Sequence, residues 1–192
     1  SLGLMSGTSM DGVDASVIQT DGKSNYEAIL DKYFEYPPAI YKQLTKLRDK
    51  IKKLKDLKKY LKAIKNIEKE ITLFHAKAIN QILKKTKTNI DLIGFHGQTI
   101  YHNAKERISK QVGDGKLLSK ITKKTVVYDF RQNDLKNGGE GAPLTPIFHK
   151  MLQKKFNIKS VSFFNIGGIL NRTTILDDRV ISAKDEGPGM CL

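Results

Sequence analysis

The sequence has no Trp and a single Cys, Cys191, among its 192 residues. One Cys excludes an internal disulfide framework, and no Cys/His spacing suits a zinc site, so a reducing, cytoplasmic setting is the expectation. No run is long and apolar enough to span a bilayer. No secretory leader is expected ahead of the first apolar run, although Ser1 is not an initiator Met and a trimmed start is compatible with it. The Gly-rich loop near the N-terminus lacks the Lys of a Walker phosphate loop. Arginine is scarce as well, supplying five of the 34 basic residues.

Those basic residues give a net charge of +14, which invites a nucleic-acid reading until the charge is located. Residues 42–87 hold 16 Lys/Arg against 4 Asp/Glu, so one segment carries +12 of the total. Base recognition favours Arg forks and stacked aromatics, and this segment has no such pattern. Its Lys read as the solvated face of helices, with nonspecific polyanion attraction at low salt as the alternative. No specific nucleic acid and no membrane is expected as a partner.

What is present is a sufficient apolar fraction, 39%, and a run of short motifs. Gly3–Asp14 begins apolar, breaks at Gly7-Thr8-Ser9-Met10-Asp11-Gly12, and resumes with Val13, Ala15, Val17 and Ile18. This pattern predicts strand, tight loop, strand. Gly7 and Gly12 would let backbone N–H groups approach an anion, and Ser6, Thr8 and Ser9 would add hydroxyl donors. Asp11 repels phosphate and is instead a candidate to hold Mg²⁺, directly or through water. A plain polar hairpin turn is the competing reading.

A third strand is expected around Ile29–Tyr36. Apolar residues then recur at steps of three and four from Leu44 to Leu61 and from Ile64 to Ile82, predicting one bent or two successive amphipathic helices. His75 falls in that stripe as a packed core-edge residue. Asn89–Phe95 predicts a buried strand that delivers His96-Gly97-Gln98-Thr99 at its C-terminal end, where open α/β sheets bind ligands. Gln111–Gly115 turns into a helical stretch at Lys116–Lys123, and Thr125–Tyr128 is a strand. Arg131 and Asp134 follow it, then the Gly-rich loop Gly138–Leu144, and Pro146–Lys155 reads as helix. Ser160–Phe164 and Arg172–Leu176 flank Gly167-Gly168 as a second strand, turn, strand unit. This echo of the first hairpin suggests a duplicated fold.

Together these stretches resemble the anhydro-N-acetylmuramic acid kinases. The segments that carry the resemblance are Gly3–Asp14, Gly94–His102, Gln111–Gly115, Asp129–His149, Asn165–Thr173 and Asp185–Gly189. It implies an α/β, ribonuclease-H-like (actin-like ATPase) domain, a mixed sheet flanked by helices, over residues 1–157. Residues 158–192 would begin a second, duplicated domain. The implied reaction is ATP-dependent opening of the 1,6-anhydro ring of anhydro-N-acetylmuramic acid, with water, to the 6-phosphate. By position, Gly7, Thr8, Ser9, Met10, Asp11, Gly12, Val13 and Asp14 would face the ATP phosphates, with Asp11 near Mg²⁺. Gly167 and Gly168 would form the second phosphate-facing turn, and Asp185 the general base. His96, Gln98, Arg131 and Asp134 are assigned to the sugar pocket or its supporting shell. The competing readings are a hydrogen-bonded strand cap for His96 and Gln98 and an internal ion pair for Arg131 and Asp134.

The family reads Asp-Thr-Gly-Pro-Gly-Asn where this chain has Asp185-Glu186-Gly187-Pro188-Gly189-Met190. Glu186 sets a second carboxylate beside the expected base, where it would raise the Asp185 pKa or repel phosphate. Family members also continue beyond this point. The expectation is therefore an N-terminal portion, inactive alone, that needs a separate C-terminal half or a second copy. The alternative is a non-catalytic remnant that binds a partner or polyanion through its Lys-rich helices.

Overall fold

The computed structural model describes residues 1–190, so the lone Cys191 lies outside the described residues. The first hairpin forms as expected: β1 (Leu2–Ser6) and β2 (Gly12–Thr20) pair antiparallel, and β3 (Tyr26–Glu35) adds to β2. Leu2, Leu4, Val13, Ala15 and Val17 alternate inward and are buried, which fixes the register because a one-residue slip would turn them all to solvent.

The helical region resolves into α1 (Pro38–Lys50), α2 (Leu54–Lys59) and α3 (Leu61–Lys85). The break has a local cause. The Asp56 carboxylate accepts the backbone N–H groups of Lys52 and Lys53 at 3.0 and 2.9 Å, giving α2 its own start in place of a continuing α1. Leu44, Leu47, Ile64, Ile67, Ile71, Ile79 and Ile82 face the sheet and are buried. Each such side chain contributes about 1.5–3 kcal/mol by leaving water. His75 lies among them fully buried, deeper than the core edge expected for it.

The next strand differs most from expectation. β4 (Leu92–Asn103) starts later and runs much further, so His96-Gly97-Gln98-Thr99 lies inside it and not at its end. The reason is a bulge. Gly97 has φ +69, and the parallel β1–β4 register shifts between Leu4 and Ser6, so the strand bends yet keeps pairing. The first half of β4 pairs β6 (Thr125–Tyr128) in parallel. Its second half pairs β5 (Ile108–Val112) antiparallel. The result is a six-stranded mixed sheet, β3-β2-β1-β4-β5 with β6 also on β4. Between β5 and β6, α4 (Gly115–Thr122) starts at Asp114, whose side chain accepts from the Leu117 N–H at 2.9 Å.

Beyond β6 come α5 (Phe130–Lys136), which has no apolar periodicity to announce it, and α6 (Pro146–Lys155). A separate antiparallel sheet closes the described chain in the order β7 (Ser160–Ile166), β8 (Ile169–Leu176) and β9 (Arg179–Pro188). Thr173 and Ile175 on one face of it are buried, with the His149 ring of α6 stacked on Phe163 at 4.6 Å. Phe164 and Ile166, on the other face, are exposed.

Candidate active site

The β1–β2 loop is held by its side chains more than by its turn. Met10 adopts φ +60 and buries its side chain in the core, as does Val13 beyond it. Thr8 and Ser9 before the first anchor and Asp11 between the two are exposed. Ser6 is 1% exposed. Its hydroxyl lies 2.5 Å from Gln98 Oε1 and 2.8 Å from the Gly12 carbonyl, and it accepts from the Tyr36 hydroxyl at 3.1 Å. Ser6 is therefore turned into the protein, and its hydroxyl does not serve an anion as the sequence pattern suggested. The Ser9 hydroxyl donates to Asp11 Oδ1 at 2.6 Å. Gly12 is needed for room, since a Cβ there would stand 2.5 Å from the Tyr33 ring and from the Phe34 carbonyl. Around Gly7 a Cβ would meet nothing closer than Ser9 Oγ at 3.9 Å, so that part of the loop stands open.

Gln98 joins the loop to β4. Its Oε1 faces the Ser6 hydroxyl, and its Nε2 donates to the Gly7 carbonyl at 2.9 Å. Two residues earlier on the same strand, the histidine is fixed as firmly. His96 Nδ1–H donates to the Gly97 carbonyl at 2.7 Å, and its Nε2 accepts from Arg131 Nε–H at 2.7 Å. Burial and the adjacent guanidinium push the His96 pKa down to about 4, so the ring is neutral and this tautomer is the one both bonds require.

Arg131 sits at the head of α5 because Asp129, just after β6, adopts φ +63 and turns the chain sharply. Its Nη1 donates to the Gly141 carbonyl at 2.8 Å. Asp134, one turn on, accepts the Gly141 N–H at 2.8 Å. No ion pair joins Arg131 to Asp134 among the described residues; each holds the Gly-rich loop separately. A Cβ on Gly139 would stand 2.1 Å from the Asp134 carboxylate, so a larger residue there would displace that side chain from the Gly141 N–H.

A cleft of about 240 Å³ lies between these groups, with Gly7, Thr8 and Met10 on one wall and His96, His102 and Arg131 on the other. His102, which carries no signal of its own in the sequence, meets Ser109 Oγ through Nδ1 at 3.1 Å. Its pKa is lowered by burial and then by Arg131, with the Asp185 charge acting the other way. The same carboxylate opposes the lowering of the Arg131 pKa by burial. Asp185 itself is exposed on β9, opposite Asn171, and is not among the residues that line the cleft.

The Gly167-Gly168 turn is bound to the end of β9. Met190 N–H donates to Gly167 O at 2.7 Å and Gly189 N–H to Gly168 O at 3.0 Å. A Cβ on Gly189 would be 2.0 Å from Gly167 O. No hydrogen bond among the described residues joins this turn to the Gly7–Asp14 loop. Glu186 is taken up by Arg172 Nη2 at 2.7 Å, with Lys184 Nζ at 3.7 Å, so its extra charge is locally paired.

The donor set around Asp11 suits a hydrated divalent cation better than a closed protein cage. Asp14 lies near enough that burial and the Asp11 charge raise its pKa, the crowding of negative charge that a cation relieves. No group of three or more His, Cys, Asp or Glu gathers among the described residues, and Mg²⁺ with phosphate ligands needs only one or two carboxylates.

A mixed sheet flanked by helices, with an open hairpin loop beside its central strands, defines an α/β protein consistent with the actin-like ATPase fold. The family model described as "Anhydro-N-acetylmuramic acid kinase" matches residues 1–192. The chain belongs to the anhydro-N-acetylmuramic acid kinase family. It is 56% identical over 195 residues to the protein of that name from Pelagibacter ubique, covering 100% of this chain and 52% of that one. The Rhizobium etli protein of the same name is 41% identical over 196 residues, with 100% and 53% covered. The Brucella canis protein is 38% identical over 197 residues, again with 100% and 53% covered. The chain spans about half the length of the curated relatives it matches.

Proposed function

We propose that these residues form the N-terminal portion of an ATP- and Mg²⁺-dependent kinase of cell-wall recycling. It would open 1,6-anhydro-N-acetylmuramic acid with water and yield N-acetylmuramic acid 6-phosphate. The observation that supports the reading is an open Gly7 loop that shares one cleft with the Arg131 side chain in a chain of this family.

In this reading the backbone of Gly7–Asp14 receives the ATP phosphates, and Gly167-Gly168 receives them from the second sheet. Asp11, backed by Asp14, would hold Mg²⁺, which neutralises charge between phosphate oxygens. Gln98 keeps the loop in shape through Ser6 and Gly7, as a member of the supporting shell. His96 fixes the Arg131 plane, and Arg131 and Asp134 shape the Gly138–Leu144 loop over the sugar. Asp185 takes a proton from the water that attacks the anomeric carbon. The C1–O6 bond breaks, and the freed O6 takes the γ-phosphoryl group as ADP leaves.

The reading divides the chain into a domain at 1–157 and the first strands of a second at 158–192. A cytoplasmic setting follows from the chemistry proposed; of the structure itself, no helix among the described residues is long and apolar enough to cross a membrane. A site that closes would draw on a C-terminal half or a second copy, since the curated relatives are about twice as long as this chain.

The test is an assay with ATP, Mg²⁺ and anhydro-N-acetylmuramic acid, run on this chain alone and with a relative's C-terminal half added. No sugar phosphate is expected from the chain alone, and turnover is expected on addition. Turnover by the isolated chain would sink the claim that it is inactive. Failure of the pair to bind nucleotide would sink the kinase reading.

A further inference from the structure

Arg48 is the one Arg among the 16 basic residues of positions 42–87, and the one among them that reaches the cleft. It stands in the last turn of α1, four residues beyond the buried Leu44 and so beside the apolar stripe of that helix. From there its side chain lines the same cleft as Gly7, His96 and Arg131. Two guanidinium groups thus border this cleft, and no Asp or Glu is among its lining residues. Arg131 is already committed, with Nε–H donating to His96 and Nη1 to the Gly141 carbonyl. Arg48 is not. Its Nε–H donates to Asp49 Oδ1 at 3.2 Å, an exposed pair of little energetic weight. Neither of its Nη groups donates to a partner among the described residues.

A cleft bordered by cations and free of carboxylates attracts an anion. A guanidinium with an open edge takes a carboxylate or a phosphate as a two-point fork. Size decides between the two. At about 240 Å³ the cleft falls below the roughly 300–1,000 Å³ of sites that enclose a drug-sized ligand, so it has room for one small sugar and not for a nucleotide. Resting on the reading of this chain as part of a kinase for an acidic anhydro sugar, we propose that Arg48 binds the acceptor's carboxylate. It thereby selects the acid over the same ring without that group. The carboxylate sits on the lactyl ether, away from the anomeric carbon, so Arg48 sets specificity and takes no part in bond making.

The test measures the binding of two sugars to the whole chain by ligand-observed NMR titration. They are 1,6-anhydro-N-acetylmuramic acid and 1,6-anhydro-N-acetylglucosamine, which has the same ring and no carboxylate. The unaltered chain should favour the acid. Arg48→Gln is expected to weaken binding of the acid about tenfold, the size of one charge-assisted hydrogen bond. The neutral sugar, the ADP affinity and the melting temperature should stay unchanged, and Arg48→Lys should fall between. Lys46→Gln removes the same charge from an exposed position outside the cleft and should alter neither sugar. Equal affinity of the unaltered chain for both sugars, an equal loss of both in Arg48→Gln, or as large a loss of the acid in Lys46→Gln overturns the role of Arg48 and leaves the kinase reading standing. A loss of ADP affinity in place of the acid's overturns it too, by assigning the fork to phosphate. Binding of neither sugar by the unaltered chain overturns the acceptor reading of the cleft and this proposal with it.

Discussion

His75 is fully buried on α3 with its ring edge-on to Phe95, centroids 4.9 Å apart, and its Nδ1–H donates to the Ile71 carbonyl at 2.8 Å. Burial pushes its pKa down to about 4, and His96 above it is pushed to the same region by burial and Arg131. In the unfolded chain both would titrate near 6.5. The folded state therefore binds fewer protons than the unfolded state between about pH 4 and 6.5, and stability falls as pH drops through that window. The contribution is intact above about pH 6.5. Each group is worth at most about 3 kcal/mol by the time pH reaches 4. Urea unfolding at a series of pH values should show this slope, and His75→Phe should remove about one proton's share of it. An acid limb equally steep in His75→Phe would mean that His75 is not the group responsible. His96 is the poorer target, because replacing it also frees the Arg131 guanidinium from its only imidazole partner.

The helices show how a charge-heavy element still folds through its apolar stripe. Ile71 is fully buried on α3, whereas Lys62 on the opposite face is exposed. Ile71→Ala should cost about 2–5 kcal/mol in denaturant unfolding, and Lys62→Ala should stay within about 0.5 kcal/mol. Equal losses would overturn the division into a buried stripe and a solvated Lys face. That division was legible in the sequence because a 3.6-residue period survives any number of lysines between its apolar positions. The first hairpin was legible for a similar reason, since apolar residues alternate on both sides of its loop, Leu2 and Leu4 before it and Val13, Ala15 and Val17 after it. The extent of β4 was not. His96, Gly97 and Gln98 look like a strand's end, and what keeps them inside it is the Gly97 bulge together with tertiary bonds to Arg131 and the loop. Nor was α5 visible, because a seven-residue helix begun by a left-handed Asp129 has no room for a period. Among the site residues, loop chemistry marked Asp11 as a carboxylate worth noting, whereas Asp185 was marked by the family resemblance alone. The inward turn of Ser6 and the approach of Tyr33 depend on partners 92 and 21 residues away, respectively.

At the scale of the molecule the two sheets share an order. β7-β8-β9 repeats the antiparallel succession of β1-β2-β3. In the first sheet the far edge of β1 takes β4 in parallel, and helices cover one face. In the second, β7 has no partner on that edge among the described residues, and one face carries Phe164 and Ile166 at 60% and 62% exposure. Leu170 lies directly opposite Ile166 on the same face. A free strand edge beside adjoining apolar side chains is a template for pairing with another chain. The isolated protein should therefore self-associate as its concentration rises, and the double substitution Phe164→Ser with Ile166→Ser should shift sedimentation toward monomer. Ile147 provides the control, since at 84% exposure on α6 it is more open than either but borders no strand edge. Ile147→Ser should leave association unchanged. If it acts as strongly as the double variant, general hydrophobicity and not the unpaired sheet drives the contact. If the unaltered chain stays monomeric throughout, the face is covered by this chain's own side chains and the inference from topology fails.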